Sequence, residues 1–128
     1  MTEDTTQTNF FNIDDPTQGI ARALAPGLAA RVFPGEQAMV SVVRLEPGAR
    51  GTLHQHPEEQ WGICLEGTAT RFQGDAAVAV RRGDFWRTPG NLPHTVEAGP
   101  GGCVILDVFA PPRRDYEAPG AGFGGDSG

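Results

Sequence analysis

From Leu28 to Phe109 the chain alternates short apolar runs with turn residues. AMVSVVRLE is followed by PGARG, and GICLEG and ATRFQG meet in a predicted turn at Gly67. AVAVRRGD, FWRTPGNLP, HTVEAGPGG and CVILDVFA complete the series. Runs of this length, rich in Val, Ile, Phe and Thr and bounded by Gly and Pro, fit pleated strands better than helices. Many short strands with regular turns predict an antiparallel sandwich or barrel. Helical periodicity is weak. Its best candidate, IARALAPGLAARVF, is cut by Pro26–Gly27, and the second half, Leu28 to Phe33, is predicted as a strand. The expectation is an all-β chain with one domain. Residues 1–26 form an N-terminal extension and lead-in to the first strand, and residues 27–117 the barrel. Residues 118–128, APGAGFGGDSG, form a disordered glycine-rich tail.

Composition narrows the chemistry. At 128 residues the chain is long enough for one core and too short for two. Its formal charge is −6, and basic residues cluster no further than the pairs Arg81–Arg82 and Arg113–Arg114. No nucleic-acid partner is expected from such a surface. No apolar run approaches the roughly 20 residues that span a bilayer, so no membrane partner is expected either. The start, MTEDTTQTNFFNIDD, is polar and acidic, the opposite of a secretory signal, and a cytoplasmic location is expected. Cys64 and Cys103 sit apart among apolar residues and read as reduced, buried thiols. There is no lysine for a Schiff base, and serine occurs only at Ser41 and Ser127, in no hydrolase setting. Chemistry is left to His, Asp, Glu, Arg and a metal.

Two of the three histidines lie in HQHPEEQW. Residues two apart on a strand point to one side, so His54 and His56 present two imidazoles together, as a transition metal needs. Gln60 follows after a proline and two glutamates, and His94 closes GDFWRTPGNLPH. Glu58 and Glu59 read as solvated loop residues, with Glu59 an alternative to Gln60 as ligand.

These spacings resemble the cupin family. Its first motif, G-x5-H-x-H-x3-E-x6-G, is met by Gly48, His54, His56, Gln60 and Gly67. Its second, G-x5-P-x-G-x2-H-x3-N, is met by Gly83, Pro89 and His94, with Asn91 for the glycine and Ala98 for the asparagine. The resemblance implies a jelly-roll β-barrel with a metal inside. Where the family often has Glu, this chain has Gln60. All protein ligands would then be neutral and a divalent ion would keep its full charge. That favours Lewis-acid chemistry on an anionic substrate over electron transfer to oxygen.

CVILDVFAPPRRDY places an ionisable residue, Asp107, in an apolar strand. Alternation puts Cys103, Ile105, Asp107 and Phe109 on one face. The other face, Val104, Leu106 and Val108, is apolar too, so alternation leaves the inward side open. Facing inward, Asp107 would be a buried carboxylate suited to proton transfer.

HQHPEEQ and LDVFAPPRRDY are similar to the H-x-H-P-x-E-Q and LDVFSPPRED[FY] of small KdgF-type cupins. Those enzymes open 4,5-unsaturated uronates to linear keto sugars. Ala110 and Arg114 depart from the pattern. The resemblance implies metal ligands His54, His56, Gln60 and His94, and catalytic residues Asp107, Phe109 and Arg113. In it Asp107 moves a proton, Phe109 walls the sugar site and Arg113 pairs with the substrate carboxylate. Tyr116 is an outside candidate for a second acid. Zinc, nickel, iron, cobalt or manganese all suit three histidines and an amide. The expected partner is a small anionic substrate, and a homodimer is expected. Polyketide cyclases of cupin type, non-catalytic metal- or ligand-binding cupins and, last, dioxygenases are the other classes considered. Trp61 is expected to point away from the metal. Arg71 and Arg87 are expected on a solvated strand face, and Trp86 is an aromatic neighbour of the second motif.

Overall fold

The computed structural model describes residues 9–117, 120–123 and 126–127. Its strands are β1 (Ile20–Ala25), β2 (Leu28–Pro34), β3 (Met39–Leu45), β4 (His54–Gln55) and β5 (Glu59–Gln73). They continue with β6 (Ala76–Arg81), β7 (Phe85–Thr88), β8 (His94–Ala110), β9 (Gly120–Ala121) and β10 (Asp126–Ser127). One turn of 3-10 helix, Arg114–Tyr116, follows β8, and the described residues include no α-helix.

The stretch with the best helical pattern is a β-hairpin. β1 and β2 pair antiparallel around Pro26–Gly27, with Ala25 opposite Leu28. Pro and Gly punctuate a turn here, and tertiary pairing overrides a weak helical preference. The barrel therefore begins before residue 27, inside the predicted extension. β2 pairs with β3, and β3 with the C-terminal half of β8, from Met39 opposite Phe109 to Leu45 opposite Cys103.

The expected turns at Gly67 and in GPGG are not turns. β5 and β8 run on as single strands of 15 and 17 residues. They pair antiparallel from Glu59–Ala110 to Gln73–His94, with register shifts between Cys64 and Glu66 and between Gly67 and Ala69. Gly67 makes this possible. Its φ is +78°, and a Cβ there would lie 2.1 Å from the Gly102 carbonyl oxygen. Bulges of this kind bend and twist a strand without ending it. The first half of β5 carries β7 and the second half carries β6. Each long strand thus serves in both walls of the jelly roll.

The core fills the space between the walls with Leu24, Leu28, Val32, Met39, Ile105 and Tyr116 among others. Full burial of such aliphatic side chains contributes about 1.5–3 kcal/mol each. The tail differs from its expected disorder where it is described. Gly120–Ala121 runs parallel to β1, Arg22 opposite Gly120, and the Gly122 amide donates to the Ala23 carbonyl at 2.8 Å. An edge strand offers unpaired backbone groups, and the small residues of the tail let its backbone reach them. Residues 118–119, 124–125 and 128 of that segment lie outside the described residues.

Candidate metal centre

β4 and β8 bring the histidines together. His54 lies directly opposite His94 in the ladder, and His56 follows at the end of β4. All three are buried, and one ligand atom from each lies within 4.8 Å of the others. The turn that delivers His94 explains a departure from the family motif. Asn91 stands where the motif has glycine, with φ +64°, and its amide donates to the His56 carbonyl at 2.7 Å. Asparagine tolerates this left-handed conformation better than most residues do.

Each imidazole is oriented by its own backbone. Nδ1 of His54 donates to the Thr52 carbonyl at 2.7 Å, that of His56 to Glu58 at 3.1 Å, and that of His94 to Leu92 at 2.8 Å. Three Nδ1 protons committed outward leave three Nε2 lone pairs pointing inward. The His94 Nε2 is buried without a hydrogen-bond partner. Burial holds the rings neutral. It pushes the His54 pKa down to about 4 and the His94 pKa down to about 2, with Arg113 and Arg71 respectively adding to the effect. His56 is lowered for the same leading reason.

Gln60 completes the set. Its Oε1 lies 3.1 Å from the His56 Nε2. With the His56 proton on Nδ1, these are two acceptors facing each other, an arrangement that a shared cation relieves. The residues therefore fit a divalent ion held by nitrogen and oxygen donors. Glu59, the alternative, faces outward. Its carboxylate pairs with Arg87 at 3.0 Å and accepts from the Trp61 indole at 3.3 Å. Trp61 points away from the centre as expected, and with Ile63, Phe85, Leu106 and Val108 it lines an apolar groove on the outer sheet.

Asp107 faces inward. It lines, with His54, Gln60, Arg71, His94 and Phe109, a cavity of about 30 Å³. Its Oδ1 is buried without a hydrogen-bond partner. Burial raises the carboxyl pKa, while Arg71, Gln60 and Arg113 pull it back. The group is poised to hold a proton and release it.

Arg113 is 2% exposed, not a surface cation. Its guanidinium sits 4.2 Å from the Tyr116 ring centroid and 5.4 Å from that of Phe109. Nη2 donates to the Phe123 carbonyl, Nε is 3.9 Å from Glu58 Oε1, and Nη1 is buried without a partner. The residue borders the site but does not line the cavity, which it meets through Phe109 and Tyr116. Glu58 is accordingly half-buried and not the expected solvated loop residue. Burial raises the Tyr116 hydroxyl to about 12.

Two further residues belong to the site. Arg71, expected in solvent, is buried and lines the cavity. Phe123, expected in a disordered tail, stacks on His54. Arg87 is exposed, as expected.

Comparison with known proteins agrees with this geometry. Residues 41–109 match the family model "Cupin domain". Oxalate decarboxylase OxdC of Bacillus subtilis (strain 168) is 34% identical over 88 residues, 64% of this chain. The match spans 23% of that curated relative's length. The structure of KdgF from Halomonas sp. superposes with a TM-score of 0.69 at 25% identity, covering 74% of this chain and 88% of that one. An RmlC-like cupin from Shewanella frigidimarina NCIMB 400 gives a TM-score of 0.72 at 21% identity, over 84% of this chain and 96% of the other, and speaks for the fold alone.

Proposed function

The chain belongs to the cupin family, and on that premise we propose that it is a metal-dependent enzyme that isomerises 4,5-unsaturated uronates. The observation that carries this reading is one cavity shared by inward-facing histidines and the buried carboxylate of Asp107. His54, His56, His94 and Gln60 would hold the ion. A divalent ion there supplies Lewis-acid polarisation of a substrate oxygen. The rest falls to the chain. Asp107 accepts the proton of the anomeric hydroxyl as the bond from C1 to the ring oxygen breaks. It returns a proton to C4, and the former ring oxygen becomes the C5 ketone. Nothing is added or lost, so the step is an isomerisation that needs one proton-carrying group. Phe109 forms a wall beside Asp107. Arg113, packed on that wall, holds it in place and adds positive field.

The test is the absorbance of the conjugated enol of 4,5-unsaturated galacturonate. Metal-loaded protein should accelerate its loss, and Asp107→Ala should abolish the acceleration while retaining metal. No acceleration by protein that holds metal removes the uronate reading.

The closed cavity favours a second reading, lyase chemistry on a small dicarboxylate. About 30 Å³ beneath Phe123 is far closer to a small acid than to a hexose ring, which would need that side chain displaced further. The relation to an oxalate decarboxylase points the same way. There a carbon–carbon bond breaks, carbon dioxide leaves, and a proton takes its place on the remaining carboxylate. Carbon dioxide release from oxalate, with unsaturated galacturonate untouched, would select it. The same narrow space is too small for an aromatic polyketide.

A further inference from the structure

Arg71 stands on β5, opposite Val96 of β8 and Val78 of β6. It is 5% exposed. Desolvation pulls its pKa down to about 10 against the pull of Asp107. Its protein acceptors are neutral. Nη2 donates to the Thr88 hydroxyl at 3.0 Å and Nε to Gln73 Oε1 at 3.2 Å, and Thr88 donates in turn to the same oxygen at 2.8 Å. The Trp86 ring lies 5.6 Å from the guanidinium carbon. Among the described residues no carboxylate forms an ion pair with Arg71. Asp107 lines the same cavity without closing that gap.

A buried guanidinium without an anion is unfavourable, and its planar fork matches a carboxylate. Thr88 and Gln73 fix the fork in place but are neutral, and Asp107, acting across the cavity without forming an ion pair, compensates the charge only in part. The geometry points to Arg71 as the residue that sets specificity, by binding a carboxylate of the substrate inside the cavity. Arg113 is the competing anchor, but it does not line the cavity, and its Nη2 and Nε face the tail carbonyl and Glu58 while Nη1 has no partner. The inference rests on the small-carboxylate reading above for the identity of the substrate, and not for the anchor itself.

The test uses the metal-loaded full chain and two probes of similar shape, acetate and acetamide, titrated by calorimetry. The native protein should bind acetate more tightly than acetamide. Arg71→Gln should lose at least about tenfold in acetate affinity, the scale of one charge-assisted contact, with acetamide binding and metal content unchanged. Arg71→Lys should recover part of the loss, and Arg87→Gln, an exposed arginine of the neighbouring strand that does not line the cavity, should keep the native preference. Arg71→Met should melt no lower than the native protein, since a buried charge is replaced by an apolar side chain. A structural arginine would instead lower the melting temperature and leave the acetate preference alone. Native protein that does not prefer acetate, or Arg71→Gln that keeps the preference, overturns the assignment. If Arg71→Gln does not fold, Arg71→Lys decides: selectively weaker acetate supports the anchor, and unchanged binding of both probes sinks it. Should unsaturated galacturonate remain intact while acetate binding still depends on Arg71, the uronate reading falls and the anchor stands.

Discussion

Phe123 lies on the face of the His54 imidazole, ring centroids 4.2 Å apart and planes inclined by 29°. The contact makes the tail a cover for the cavity. Arg22 holds the cover down, donating to the carbonyls of Gly122 at 2.7 Å and of Asp115 and Ala121 at 2.9 Å. Beneath it the cavity of about 30 Å³ has room for one or two waters. Any larger substrate must displace Phe123. Phe123→Ala is therefore expected to speed extraction of the bound metal by a chelator several-fold. Its cost in stability should be small, about 1 kcal/mol, because the ring is only partly buried. Arg22→Gln should act in the same direction. Extraction at the native rate in both variants would show that access runs by another route.

As a fourth ligand Gln60 would keep the protein donors neutral, and its amide oxygen faces the His56 Nε2 at 3.1 Å. Gln60→Glu changes little in volume and adds one negative charge beside Asp107. Metal should be retained, since a carboxylate is at least as good a ligand as an amide. An anionic substrate should bind less well, and the net positive charge that polarises it should fall. The expected result is full metal content with a rate per KM lower by about tenfold or more, the effect of about 1.4 kcal/mol. Metal analysis and the uronate absorbance assay measure both. An unchanged rate would refute the argument from ligand charge.

Cys64 and Cys103 are free and buried. Burial raises both thiol pKa values, that of Cys103 to about 11 with the Cys64 charge adding to it, while the carbonyl of Glu66 accepts from Cys64 Sγ at 3.4 Å. The thiolate is the reactive form, so at pH 8 Cys103 is ionised in only about one molecule in a thousand. Since the folded values lie above that of a free thiol, reactivity should stay suppressed until the pH rises well past the ordinary thiol range. An aromatic disulfide reagent should label neither cysteine in the native protein and both after unfolding. Immediate labelling of one thiol at neutral pH would mean that its burial is transient.

The histidine cluster was legible in sequence because it depends on residue type and short spacing. Alternation correctly paired Ile105, Asp107 and Phe109, and the structure turns that set toward the cavity. Arg71 was not legible, for a definite reason. Gln60, Gly62 and Cys64 are buried at even positions of β5, whereas Ala69 and Arg71 are buried at odd ones. The first register shift, between Cys64 and Glu66, inserts Leu65 as one extra residue on β5 and so reverses the parity of the strand, whereas the surplus residues of the second shift lie on β8. A one-residue slip sends each following side chain to the opposite face. Counting by twos from Gln60 therefore puts Arg71 in solvent. The tail escaped for another reason: its glycine-rich composition reads as disorder, while its position depends on Arg22, about a hundred residues away in the chain.

Gly67 gives that parity argument a direct check. Its φ of +78° disfavours any side chain, and a Cβ would meet the Gly102 oxygen at 2.1 Å and the Cys103 Cα at 2.9 Å. Both obstacles are backbone, so neither can swing aside. Gly67→Ala is expected to cost about 2–4 kcal/mol, the sum of left-handed strain and a forced separation of β5 from β8. Gly101→Ala is the control, since a Cβ there meets nothing within 4 Å, and a surface change of this kind should stay within about 0.5 kcal/mol. Denaturant midpoints at unchanged slope compare the two. Function adds a second readout. If the bulge shifts to relieve the clash, Ala69 and Arg71 change faces, and acetate binding should fall further than the loss of folded protein explains. A Gly67→Ala protein with native stability and native acetate binding would mean that the bulge is held by something other than Gly67.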